Sequence, residues 1–500
     1  MCRNGDKVKD FSNLSLNKLL PMMQPQTWDA QNTCARMGIK MPEIIIDPIT
    51  RISGFLEIKV EVEHNTINSA QARGLLYRGF EPMLKGRQPL DAIYFTERIC
   101  GICSAAHSYA SALALDQALN LRLSQNDKYI REIIHGFEFI QNHLRHFYIM
   151  LMPDFVKITS PAIANSRQYI NFRLPEEVNR LLEEHYAMSY QYAMLAHEGQ
   201  AVLAGKAPHN HGIFTGGVTT DLTSYKIVKV KSIINKIQSF VDTAMREDVD
   251  ILAYYYPDYF KMGMSYPNFM SYGVFDNAEA DISYVNPGVL VNGILYDFRP
   301  EYISQQIKYS WFVNDTTDEL NLQKEDAYTF IKAPRYNGLP MEVGPLARML
   351  ISGIYKGGHS CMDRIIARVL ETSKILTIMS KLADLINPLP NGQREYLLPE
   401  VSEGEGFIDT TRGSLAHFIR IKNKLIDHYS IITPSNWNLS PMDSNGMAGV
   451  IEKALIGTSI KDTENPVEIG RIVRSFDPCV SCATHLITPK GNKKIIEVSV

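Results

Sequence analysis

The sequence has no apolar run of eighteen or more residues, so nothing in it reads as a membrane-spanning helix. It has no excess of either charge: 51 basic residues against 54 acidic ones give a net charge of −3 and a pI of about 6.5. Lys and Arg are scattered rather than blocked, which argues against nucleic acid or an anionic membrane as a partner. The N-terminal MCRNGDKVKDFSNLSLNKLLPMMQPQ has no sustained apolar segment, so no signal peptide is expected there. Internal repeats, low-complexity tracts and Gly/Ser or Pro linkers are missing too. Cysteine is scarce, at seven in 500 residues. An odd number that includes two CxxC pairs does not make a disulfide scaffold; it points to metal or thiol chemistry.

What is present is enough chain for a large core, with 45% hydrophobic and 21% charged residues, an ordinary globular balance. Length alone allows roughly two to four domains. With no linker to divide it, the chain reads as a single domain over 1–485. From Leu56 to Glu63 apolar and charged residues alternate, with Glu57 on the polar side. This predicts a half-buried strand followed by a hairpin turn at 64-HNT-66. After Cys103 the pattern turns helical, and SAAHSYASALALDQALNL carries small residues that let a helix approach its neighbours closely. Ile130, Ile133, Phe137, Ile140, Leu144 and Phe147, three and four apart, predict a helix from about Asp127 to Met150. Others are expected from about Pro175 to Leu203, with Glu176 and Glu177 in the first turn, and from about Pro345 to Ile386. Residues 1–42 read as an extended arm, and 210–335, broken by Pro, Gly, Asn and Tyr, as loops and short elements. The expected fold is mainly α (α+β): a large bundle of long helices with small peripheral β-strand regions near the N- and C-terminal parts.

Chemistry concentrates in two stretches, 97-ERICGICSAAH-107 and 477-DPCVSCATH-485. Each is a CxxC with a histidine three or four residues further on, Cys103 to His107 and Cys482 to His485. Two residues between cysteines let both sulfurs face one metal, and two such pairs supply four thiolates. Zinc ribbons join their halves across roughly fifteen to twenty residues. Here nearly the whole chain separates them, which suits a catalytic metal at the centre of a domain. A structural metal and a thiol redox pair are the other two readings. Cys2, Cys34 and Cys361 stand alone and read as bystanders.

The pairing of RICGICSAAH near the start with SFDPCVSCATH near the end resembles the large subunit of NiFe hydrogenases. The likeness extends in order through 47-DPITRISG-54, 77-YRGFEPMLKGRQPLDA-92, 143-HLRHFY-148, 205-GKAPH-209, 331-IKAPR-335, 341-MEVGPLAR-348 and 433-TPSNWN-438. IKAPR, MEVGPLAR and the tail length look most similar to the membrane-bound uptake group. The resemblance implies that Cys100, Cys103, Cys479 and Cys482 bind nickel. Cys103 and Cys482 would also bridge to an iron carrying carbon monoxide and two cyanide ligands. His107 would hydrogen-bond a bridging sulfur, and Arg412, with Thr411 before it, would stand over the iron ligands. Ser435 would hydrogen-bond a cyanide, and Asp477 would pair with the surroundings of that arginine. Glu81, the Ile431 carbonyl and His485 would hold magnesium or a similar cation.

The function so implied is the reversible oxidation of dihydrogen to protons and electrons. The remaining cysteines are too few to hold electron-relay clusters, so the electrons would pass to a separate iron–sulfur small subunit in an obligate heterodimer or a higher oligomer. The resemblance also implies a maturation endopeptidase that cuts after His485 and removes 486-LITPKGNKKIIEVSV-500, and a membrane cytochrome or quinone-linked anchor. The enzyme would be membrane-associated on the outer, periplasmic or extracytoplasmic side through the small subunit, a cytoplasmic enzyme being the alternative.

Three positions depart from the family pattern. Ser53 stands where the family has a glutamate that relays protons beside a terminal nickel cysteine. A hydroxyl does not ionise usefully there, though it can pass a proton through water. Asn142 replaces an aspartate above the metals, and Thr411 replaces a proline. Two rival functions follow: a hydrogen sensor with slow turnover, and a metal-free structural homologue in a respiratory complex. The cleavable tail weighs against the first and the retained cysteines against the second.

Overall fold

His64 and Asn65, both with positive φ (49° and 59°), form the two-residue turn that a right-twisted hairpin favours. The turn joins β2 (Leu56–Glu63) to β3 (Thr66–Gly74), and β1 (Glu43–Ile46) pairs antiparallel on the other side of β2. The computed structural model describes residues 43–159, 171–314, 319–388 and 396–480. The arm expected at 1–42 lies outside them. Glu57 departs from the alternation: it is buried and takes a 2.7 Å hydrogen bond from Arg73 Nη1.

Six helices organise the rest. They are α1 (Ser104–Ala118), α2 (Gln125–Leu144), α3 (Glu176–Ala204), α4 (Ser224–Phe240), α5 (Cys361–Leu385) and α6 (Val467–Ser475). The first turn of α2 is capped by Ser124, whose Oγ accepts from the Asp127 amide. The helix continues as a π-helical stretch over Arg145–Leu151. α3 ends at Gly205, whose positive φ (79°) the chain needs to turn away. The helix expected over 345–386 is two, Pro345–Ile351 and α5, the second started by a Ser360/Asp363 capping box.

Two expectations need correction. The middle of the chain is not only loops: α4 runs on through a π-helical turn (Val241–Met245) into a further helix, Arg246–Tyr255. Ile227, Val230, Ile234, Ile237 and Phe240 are buried at helical spacing, a signal masked by the Pro- and Gly-rich sequence around it. A large bundle of long helices is not supported either. Of the described residues 43% are helical and 20% lie in strands, which makes the fold α+β. β4 (Asn268–Ser271), β5 (Gly288–Val291) and β6 (Ile294–Asp297) form one antiparallel sheet. β7 (Val401–Thr410), β8 (Gly413–Lys422) and β9 (Leu425–Ile432) form a second.

This last meander is no peripheral decoration, because α1 packs directly on β7 and β8. The approach is close because both sides are small. A Cβ at Gly404 would sit 2.1 Å from the Ala114 carbonyl oxygen, and one at Gly406 2.1 Å from that of Ala110. The Ala- and Ser-rich helix thus meets a strand stripped of side chains, and α1 holds Cys103 as its N-cap residue. Gly406→Ala is therefore expected to cost roughly 1–3 kcal/mol of stability through overpacking. It should also lower metal loading, since the helix carrying the first cysteine pair must shift. Thermal unfolding and metal analysis of the purified variant check both; an unchanged midpoint with full loading contradicts the account.

Candidate metal centre

Three cysteine sulfurs converge from the two ends of the chain. Cys100, Cys103 and Cys479 are all buried, and their Sγ atoms lie within 4.8 Å of one another. Cys100 and Cys479 stand 3.3 Å apart with no disulfide between them. A parallel bridge brings the second pair into place: Ser53 N–H donates to the Pro478 carbonyl (3.2 Å), and Val480 N–H donates to the Ser53 carbonyl (2.7 Å). Position 53 therefore abuts the backbone of Cys479. Glu57 does not substitute for a carboxylate there, being held by Arg73. Cys482 and His485 lie outside the described residues.

A two-residue loop between β7 and β8, Thr411 and Arg412, delivers the guanidinium to the same place, and Gly413 closes it with a φ of 126°. Arg412 Nε donates to the Asp477 carbonyl oxygen (3.0 Å) and Nη2 to Asn142 Oδ1 (2.8 Å). Nη2 also lies 3.0 Å from Asp477 Oδ1. Asn142 Nδ2 in turn donates to Asp477 Oδ2 (2.8 Å). Asn142 thus accepts from the arginine and donates to the carboxylate, a double role that an aspartate there could not play. Burial alone would raise the Asp477 carboxyl, but Arg412 and Arg368 outweigh it and hold it well below the usual range. Burial disfavours the Arg412 charge, while Asp477 and the cysteines Cys479, Cys103 and Cys100 more than restore it.

Behind Asp477 runs a buried ladder that the sequence reading did not find. Arg368 Nη1 donates to Asp477 Oδ2 (3.2 Å) and contacts His143 Nδ1 (3.0 Å); His143 Nε2 contacts Glu371 (2.8 Å). Arg348 donates to both Glu371 oxygens (2.7 and 2.8 Å) and to Asp409 (3.1 Å). His143, Arg348, Glu371 and Asp409 are fully buried and Arg368 nearly so. Glu138, also buried, accepts from the Ala105 (2.6 Å) and Ala106 (2.9 Å) amides, and burial pushes its carboxyl up to about 8.

The remaining expected residues are placed nearby. Ser435 Oγ accepts from the Cys479 amide (3.1 Å). Glu81 accepts from the Ile431 amide (2.6 Å), which brings these two residues together at the end of β9. Glu81 borders an open cleft of about 710 Å³, with Lys85, Lys332 and Asp427 on its walls. His107 Nδ1 lies 3.1 Å from His417 Nε2, a partner also missed.

Whether a metal suits this site can be judged from the donors and from what surrounds them. The sulfurs are soft, buried and free of disulfides, the donor type that thiophilic transition metals select. Arg412 Nη1 and Thr411 Oγ1 are buried with no partner among the described residues. An orphaned guanidinium N–H beside thiols calls for an anionic acceptor, as a metal-bound anionic ligand would supply. The residues fit.

A family model described as nickel-dependent hydrogenase matches residues 78–172, 164–359 and 354–485. The chain belongs to the nickel-dependent hydrogenase family. It is 31% identical to the periplasmic NiFeSe hydrogenase large subunit of Desulfomicrobium baculatum, over 91% of this chain and 97% of that one. It is 27% identical to the uptake hydrogenase large subunit of Rhizobium leguminosarum bv. viciae, over 90% and 96%. Among solved structures, the reduced Ni-Fe-Se hydrogenase of Desulfovibrio vulgaris Hildenborough superposes with a TM-score of 0.84 at 34% identity. That match covers 89% of this chain and 100% of the other.

The depressed Asp477 gives this hydrogenase-family site a pH signature. Its folded carboxyl titrates below the unfolded one, so its stabilisation is complete above about pH 4, the ordinary aspartate value. It is lost progressively as the pH falls towards the lower folded value. Asp477→Asn is expected to remove that acid-side slope. It should also destabilise by roughly 3–5 kcal/mol at neutral pH, because Arg412 and Arg368 lose their buried counter-ion. Thermal unfolding of both proteins between about pH 3 and pH 7 tests this; parallel pH profiles contradict it.

Proposed function

We propose that the chain is the catalytic large subunit of a NiFe hydrogenase that oxidises dihydrogen reversibly and passes electrons to an iron–sulfur small subunit. The convergence of Cys100, Cys103 and Cys479 beneath Arg412 carries this reading, together with family membership. In it residues 1–485 act as a single hydrogenase domain. Cys100, Cys103, Cys479 and Cys482 would hold nickel, and Cys103 and Cys482 would also hold an iron that carries carbon monoxide and two cyanide ligands. Bound, the two metals would supply the Lewis acidity and electron-accepting capacity that splitting dihydrogen requires. Arg412 offers its unpartnered Nη1 to an anionic iron ligand, and Ser435, beside Cys479, offers its hydroxyl hydrogen to another. Asp477, Asn142 and Arg368 hold the Arg412 fork in place. Glu81 and the Ile431 carbonyl, with His485, would hold magnesium or a similar cation.

The relatives support the reading of partners and place. Named as large subunits, they support a small-subunit partner here. A periplasmic and an uptake enzyme among them support an extracytoplasmic site. The reading adds that it is reached through that subunit and a membrane cytochrome or quinone-linked anchor. No helix of the described residues is long and apolar enough to cross a membrane. A maturation endopeptidase removes residues 486–500 once nickel is in place. Neither the sensor nor the metal-free reading is favoured, because the named relatives are hydrogenase large subunits and the cysteines are clustered.

Hydrogen-dependent dye reduction by the purified heterodimer, with nickel and iron quantified in the same sample, tests the reading. Rapid reduction and one nickel per large subunit are expected, and Cys103→Ser should abolish both. Reduction absent with both metals bound would overturn it. Intact mass gives a second check: nickel-loaded protein should end at His485, and retention of the full tail in active enzyme would refute its removal.

A further inference from the structure

Helix α1 begins at the first cysteine pair, and a helix start leaves backbone N–H groups without an intrahelical acceptor. Usually the N-cap side chain takes that of the second or third residue. Here the N-cap residue is Cys103, whose sulfur makes no such cap bond and stands within 4.8 Å of the Cys100 and Cys479 sulfurs. Both amides go instead to Glu138, which reaches across from α2. Its Oε2 accepts from the Ala105 N–H (2.6 Å) and its Oε1 from the Ala106 N–H (2.9 Å). Ala105 and Ala106 are fully buried and Glu138 is 3% exposed, so water does not compete for these bonds. We infer that Glu138 is a positioning residue that caps α1 from another helix and thereby sets where the first cysteine pair stands relative to the second, an assignment that rests on the hydrogenase reading for its consequence.

The second pair is held from the same helix. Asn142 lies four residues on, and hence on the same face of α2. It donates to Asp477 Oδ2 (2.8 Å) and accepts from Arg412 (2.8 Å), and Asp477 stands two residues before Cys479. One turn of α2 thus grips the chain beside each pair, and the helix's own hydrogen bonds fix the spacing of the two grips. A carboxyl keeps lone pairs on both oxygens whether or not it is ionised, so the cap does not depend on the charge of Glu138. Glutamine, of nearly the same size, keeps one acceptor and turns an NH2 towards the other amide. One buried N–H of α1 then lacks an acceptor, and the start of the helix must move, with Cys103, to find one. The backbone here also touches a sulfur directly: the Ile102 N–H donates to Cys100 Sγ (3.3 Å). A displaced helix start therefore alters the hydrogen bonding of the sulfur cluster as well as its spacing.

Two readouts on the tail-processed heterodimer test this. Hydrogen–deuterium exchange resolved to single amides should find Ala105 and Ala106 protected in the wild type, although they lie at a helix start. In Glu138→Gln at least one of them should exchange about 10-fold faster, the equivalent of one hydrogen bond, with the bodies of α2 and α5 unchanged. The infrared stretching bands of the iron's carbon monoxide and cyanides should shift or split in the same variant. A residue that only stabilised the fold would leave those bands in place and weaken them with the amount of folded protein. Unprotected Ala105 and Ala106 in the wild type, or bands at their wild-type positions in Glu138→Gln, overturn the inference. Should Glu138→Gln not fold, Glu138→Asp takes its place. Its arm is one methylene shorter, so α1 must move towards α2 to be capped; shifted bands are again expected, and unshifted ones overturn the inference. Failure of the hydrogenase reading shows separately, as wild-type protein with no carbon monoxide band at all, while the exchange result still decides the cap.

Discussion

The buried pairing of Arg412 with Asp477 is the contact on which the rest of the molecule depends. Arg412 rides on the tip of a hairpin, and Asp477 stands two residues before Cys479. Their attraction therefore ties the sheet of β7, β8 and β9 to the second cysteine pair. α1, packed on the same sheet through Gly404 and Gly406, delivers the first pair. A buried ion pair rarely gains much net stability, because desolvating two charges costs about what their attraction returns. What it gives here is placement: either charge alone would be strongly unfavourable, so the two halves of the site are unfavourable apart.

The ladder behind Asp477 extends this constraint across the molecule. Asp477, Arg368, Glu371, Arg348 and Asp409 alternate in sign, with neutral His143 between Arg368 and Glu371. Each charge has an opposite neighbour, so the low dielectric that penalises an isolated ion strengthens every contact in the row. Burial would raise the Glu371 carboxyl, and Arg348 outweighs it and holds it well below its ordinary range. Asn142 fits the same bookkeeping of charge: an amide at that point lets Asp477 remain the sole carboxylate beneath the arginine. A fixed, ionised Asp477 keeps Arg412 charged and stationary above the cysteines, which is what preorganised electrostatic stabilisation requires.

Much of the site was legible in the sequence, because chemistry leaves fixed spacings. The two CxxC stretches, His107, Arg412 and Asp477 could be named before any coordinates, and the structure brings Cys100, Cys103 and Cys479 together with Arg412 and Asp477. Ser53 lies against the backbone of Cys479. The ladder was not legible, since its members meet across separations such as 109 residues for Arg368 with Asp477 and 228 for His143 with Glu371. His417 sits on β8, beside the strand β7 that carries Gly404 and Gly406. Those glycines make room for α1. Glu57 misled for the opposite reason: a charged residue in an alternating strand reads as solvent-facing unless its partner, Arg73, is known.

Nickel K-edge X-ray absorption on the tail-processed heterodimer tests the central claim most directly, because it reports the donor atoms themselves. The account predicts a first shell made of sulfur, with the scattering of all four cysteines and of a nearby iron. A shell dominated by nitrogen and oxygen, or sulfur scattering left undiminished when both Cys100 and Cys479 are replaced by serine, would contradict it.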